Sequence, residues 1–87
     1  MTDPEIERLR EQITSADRTV LDAVNSRLEL VARLKAYKES HGIDFVDPER
    51  EERLLDELVG ANRGPLSEAG VRDLFQRILE LTKRELG

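Results

Sequence analysis

The chain has 87 residues, enough for one small domain with a single, marginal core. Charged residues are 38% and aromatics 3%, and the net charge is −5, which argues against a nucleic-acid-binding face. There is no cysteine, so disulfides and thiolate metal sites are excluded.

No apolar run reaches the ~18 residues of a membrane span, and no signal-peptide pattern opens the sequence. A soluble, cytoplasmic protein without membrane contact is therefore expected. Leucine, glutamate and arginine dominate, which favours helix over sheet.

The first helix is expected over about residues 3–40. Asp3-Pro4-Glu5 supplies an N-cap, a proline at the first helical position and an acid near the positive end of the helix dipole. Neither glycine nor proline follows until Gly42. A helix of this length spans roughly 55 Å at ~1.5 Å per residue. Ile6, Leu9, Ile13, Ala16, Val20, Ala23, Arg27, Leu30, Leu34 and Tyr37 recur at alternating spacings of three and four, a heptad seam. Ile6, Val24, Leu28 and Val31 widen it on one side.

The second helix is expected over about 48–60, where Asp47-Pro48-Glu49 repeats the start signal. Gly64-Pro65 then breaks the chain, and Ser67 caps a third helix over about 67–86. The fold class is all-α: one long N-terminal helix and two shorter ones, in a single domain over 1–87. Two short helices cannot cover the long one on all sides. The expected architecture is an intertwined helical homodimer, with the long helix packed on a second copy of itself. A ligand-free antiparallel coiled-coil hairpin is the alternative on pattern alone.

Several polar residues interrupt the apolar stripes. Around the first helix, at ~100° per residue, Arg27 falls at the angle of Leu9 and Lys38 lies beside it. Arg10 sits on the edge of the stripe, and Lys35, the least central, is expected to reach water. On the second helix Arg50 and Glu51 share the face of Leu54, Leu55, Leu58 and Val59. On the third, Thr82 continues the stripe of Val71, Leu74, Phe75, Ile78, Leu79 and Leu81. Each has an ordinary reading: a register device, surface charge, or a threonine bonded to its own i−4 carbonyl. As a set they have more cations than anions. A buried charge without a partner costs several kcal/mol, so the set describes a pocket for a small polyanion that also carries a hydroxyl.

With those residues in view, the chain resembles the all-α AroQ class of chorismate mutases. The segments that carry the resemblance are LREQITSAD (9–17), SRLELVARLKAYK (26–38), FVDPEREERLL (45–55) and FQRILELTKREL (75–86). The resemblance implies an isomerase, an intramolecular transferase that rearranges chorismate to prephenate in aromatic amino-acid biosynthesis. It implies that Arg27 and the partner subunit's Arg10 clamp the substrate carboxylates. Lys38 then donates to the ether oxygen, and Glu51 accepts from the ring hydroxyl with help from the backbone near Asp47. Arg50 orders its neighbours, and Thr82 lies near the ring carboxylate.

A Claisen rearrangement needs no nucleophile, metal or cofactor, which fits the absence of a nucleophile–base pair; His41, in a loop, has no assigned role. One position departs. Where the family has a glutamine or glutamate as second donor to the ether oxygen, this chain has Leu86, with Glu85 beside it as a candidate replacement. Some relatives are fused to, or activated by, the first enzyme of the shikimate pathway, so such a partner is among the expectations. Two other functions fit the same pocket: an isochorismate–pyruvate lyase, and a regulatory or dimerisation module that uses it as an effector site.

Overall fold

The computed structural model describes residues 3–87, which form three helices: α1 (Pro4–Ser40), α2 (Pro48–Ala61) and α3 (Glu68–Leu86). Each starts on the cap read from the sequence. Asp3 accepts from the Glu5 N–H at 2.8 Å, Asp47 from the Arg50 N–H at 3.1 Å, and Ser67 from the Gly70 N–H at 3.0 Å. A cap of this kind is worth ~1 kcal/mol. Pro4 and Pro48 open α1 and α2 from the first turn, where a missing N–H costs nothing.

α1 ends at a left-handed turn. Gly42 has φ 64°, and the Ile43 N–H returns to the Lys38 carbonyl at 2.9 Å. This reversal carries residues 41–47 back beside the last turns of α1 and delivers α2. α2 and α3 pack together, and α3 packs on α1. Arg72 ties the α2–α3 pair at its rim, with Nη2 2.9 Å from Asp56 Oδ1 and Nε 3.6 Å from Glu68 Oε1. The hydrogen bond to Asp56 raises the guanidinium pKa above its ordinary value, with burial acting against it.

The core is small. Among the described residues, Leu55 (4% exposed) and Val71 (3%) are the buried apolar side chains, and Thr82 (6%) is buried with them. No residue of α1 is buried. The molecule measures 61 × 24 × 18 Å, with α1 setting the long axis. Among the described residues no helix is long and apolar enough to cross a membrane.

The stripe on α1 divides in two, a correction to the single broad seam read from the sequence. Val24, Arg27, Leu28, Val31, Lys35 and Lys38 are the half-covered positions of the helix. Ile6, Leu9, Ile13, Val20, Leu30, Leu34 and Tyr37 remain exposed. Apart from Ile6, which is exposed, the side read as widening the seam is thus the face turned to the rest of the chain, and Arg27 belongs to it. The physical reason is one of angle: α3 covers only an arc of α1, and the rest of the apolar surface lies outside that arc.

Candidate active site

A cleft of about 190 Å³ lies where the C-terminal half of α1, the 41–47 loop, the start of α2 and the end of α3 meet. α1 contributes Arg27, Val31, Leu34 and Lys38. The loop contributes Phe45, Val46 and Asp47; α2 adds Arg50, Glu51 and Leu54; α3 adds Leu79, Thr82 and Lys83. The volume is below the ~300 Å³ at which ligand pockets usually begin. One chain therefore offers a partial enclosure.

Arg27 and Thr82 join α1 to α3 inside this cleft. Arg27 Nη1 donates to Thr82 Oγ1 at 2.8 Å, and Thr82 Oγ1 donates in turn to the Ile78 carbonyl at 2.7 Å. The i−4 back-bond read as an ordinary role for this threonine is made, and it leaves the oxygen facing the guanidinium. Lys38 Nζ is 3.4 Å from the Phe45 carbonyl, which ties the end of α1 to the loop. Asp47 lines the cleft while its carboxylate caps α2. Glu51 is held by Lys83, whose Nζ lies 3.0 Å from Oε1 and 3.2 Å from Oε2.

The charge balance of the cleft runs against that of the chain. Arg27, Lys38, Arg50 and Lys83 face it with only Asp47 and Glu51 as counter-charges. Among the described residues Arg27, Lys38 and Arg50 make no ion pair. Three cations without carboxylate partners converge on one apolar-walled cleft in a protein of net charge −5. Charge-assisted bonds to a bound polyanion are what such an array can make.

Of the other sequence candidates, Arg10 is exposed and lies 17 residues before Arg27, about 25 Å along the helix at ~1.5 Å per residue. It does not reach this cleft. Glu85 is exposed and Leu86 half-covered, and neither lines the cleft. Lys35 does not run out to water as expected. Its Nζ donates to the Leu86 carbonyl and sits 5.6 Å from the centre of the Phe45 ring. The last carbonyls of α3 lack helical partners, and this lysine satisfies one of them. Sequence reasoning missed Lys83, although its position four residues after Leu79 put it on the cleft side of α3. It also missed Phe45 and Val46, because a loop has no periodicity to reveal which way it faces.

Residues 9–85 match the family model described as chorismate mutase type II. The chain belongs to the chorismate mutase type II family. The T-protein of Enterobacter agglomerans is 40% identical over 83 residues, which are 93% of this chain and 21% of that protein. The chain therefore spans about a fifth of the T-protein's length. The 4-amino-4-deoxychorismate mutase of Streptomyces venezuelae is 32% identical over 77 residues, 86% of this chain and 74% of that one. Among solved structures, chorismate mutase (form II) from Thermus thermophilus superposes with a TM-score of 0.87 at 29% identity. The match covers 92% of this chain and 91% of that one. Family and structure together show the all-α fold expected from the sequence.

Proposed function

We propose that the chain rearranges chorismate to prephenate in a cleft completed by a second copy of itself. The observation that carries this reading is the set of unpaired cations, Arg27, Lys38 and Arg50, beside the Arg27–Thr82 contact and the Glu51 carboxylate. In the reaction the ether C–O bond of chorismate breaks as a C–C bond forms within the same molecule. Nothing is added or removed, so the protein has two tasks: to hold the compact conformer and to stabilise the charge that separates. Arg27 holds a substrate carboxylate, oriented by the Thr82 hydroxyl. Lys38, anchored to the Phe45 carbonyl, meets negative charge growing on the ether oxygen. Glu51 accepts from the ring hydroxyl, aided by the backbone near Asp47. Arg50 neighbours Glu51 and keeps the rim positive. In a unimolecular rearrangement the gain from positioning is that the reacting ends are held together in the near-attack conformer.

Dimerisation follows from the exposed face of α1. Two buried apolar side chains among the described residues are a small return for ordering a chain of this length. A second α1 laid on Ile6, Leu9, Ile13, Val20 and Leu34 supplies the missing contacts. The midpoint of Pro4–Ser40 is near Asp22. In an antiparallel pair crossing there, the partner subunit's Arg10 stands level with Leu34, between Arg27 and Lys38. A parallel pair leaves it far from either cleft. The antiparallel homodimer thus adds both the missing wall and a further cation for the second carboxylate.

In this reading residues 1–87 act as one mutase domain, working in the cytoplasm. Leu86 supplies no donor, and an activating shikimate-pathway enzyme that acts on the end of α3 remains part of the proposal. The test is a chorismate-depletion assay on the purified chain with product analysis. Prephenate with no pyruvate is expected. Pyruvate release would assign the lyase reaction instead, and binding without turnover the regulatory role.

A further inference from the structure

The family pattern accounts for most of the cleft but not for Lys83. Its ammonium spans both oxygens of Glu51, at 3.0 and 3.2 Å, and both side chains line the cleft. The pair is partly open to water, with Lys83 47% and Glu51 30% exposed. An ion pair in such a position adds little to stability, so its effect is to be sought in the cleft.

We infer that Lys83 is a specificity-determining residue: by occupying Glu51 it makes the cleft select a ring hydroxyl over a ring amine at the same position. This rests on the proposed reading that Glu51 faces the ring hydroxyl of chorismate. A hydroxyl is neutral and needs one acceptor lone pair. A carboxylate offers about four, so Glu51 can hold Lys83 and still accept from a hydroxyl. An aliphatic amine is an ammonium at neutral pH. It would require the carboxylate's charge, which Lys83 already compensates, and it would sit beside a second ammonium. Like charges in a partly desolvated cleft repel. Arg27, Lys38 and Arg50 add to the same positive field, but none of them is paired to Glu51. The distinction is a chemical one between close substrates, since the Streptomyces relative is named for 4-amino-4-deoxychorismate.

The test compares kcat/KM for chorismate and for 4-amino-4-deoxychorismate in the wild type, Lys83→Met, Lys83→Gln and Lys83→Arg. Far-UV circular dichroism of each variant guards against misfolding. The wild type is expected to favour the hydroxyl substrate. Each neutral variant is expected to raise the amine-to-hydroxyl ratio by about tenfold or more, while Lys83→Arg keeps the wild-type ratio. An unchanged ratio in both neutral variants, or a wild type that prefers the amine, would overturn the inference and leave the mutase reading standing. A wild type that rearranges neither substrate would overturn that reading and this inference with it.

Discussion

Arg27 and Thr82 are 55 positions apart in sequence and 2.8 Å apart in the fold, guanidinium Nη1 to hydroxyl Oγ1. The contact fixes one fork of a cation that makes no ion pair among the described residues. A long flexible side chain that is pre-placed loses less entropy when it grips a carboxylate. Thr82→Val removes the acceptor but keeps the shape. It is expected to lower kcat/KM by about tenfold or more, in line with ~1.5–3 kcal/mol for a hydrogen bond to a charged group. Thr82→Ser should keep most of the activity. Equal activity in the wild type and Thr82→Val, measured by chorismate depletion, would deny the hydroxyl a role in placing Arg27.

Arg27→Ala is expected to reduce kcat/KM by several orders of magnitude, because a charge-assisted carboxylate contact is lost inside the cleft. Helical circular dichroism should change little, since Arg27 is only half-covered and makes no ion pair. Arg27→Leu separates this from a structural role. A cation that served packing alone could be replaced by leucine with stability kept or raised and turnover unchanged. The expected result is stability kept and turnover lost.

The helices were legible because their caps are chemical and local. Asp3-Pro4, Asp47-Pro48 and Ser67 start the helices in the structure as they do in the sequence. The cleft was legible in part. Polar residues at apolar phase, such as Arg27, Lys38 and Thr82, stand out against a helical period. Lys83 did not, since it falls at the stripe's margin and its importance depends on Glu51, 32 positions away on another helix. Lys35 was misjudged for a related reason. Phase alone cannot show that the end of α3 comes close enough to offer it the Leu86 carbonyl. The division of the α1 stripe likewise depends on how α3 lies across it, which no one-dimensional period contains.

Leu86 lies one helical turn beyond Thr82, on the same side of α3, and its carbonyl is already held by Lys35. The last turn is therefore anchored. Leu86 stands outside the cleft lining, one turn past Thr82, so Leu86→Gln tests whether a longer polar side chain reaches in from the cleft's end; a single preorganised donor is worth ~3 kcal/mol, about a hundredfold in rate. The substitution is expected to raise kcat towards that limit. No change in kcat, with the helix end shown to be ordered by amide exchange, would mean that the ether oxygen does not face this position.

Sedimentation equilibrium at micromolar concentration is expected to give a dimer. The exposed apolar residues of α1, from Ile6 to Tyr37, form a face longer than stable monomers leave open. A single folded 10.0 kDa species would remove both the dimer and the shared cleft.

The most direct measurement mixes two inactive variants. If the partner subunit's Arg10 completes the cleft that holds Arg27, Arg10→Ala and Arg27→Ala subunits complement each other. A heterodimer then carries one cleft with both defects and one with neither. After subunit exchange, verified by native mass spectrometry, chorismate turnover is expected to return to roughly a quarter of the wild-type value at equal mixing and random pairing. Verified exchange with no recovery would place both arginines in a cleft formed by one chain, and would contradict the shared site.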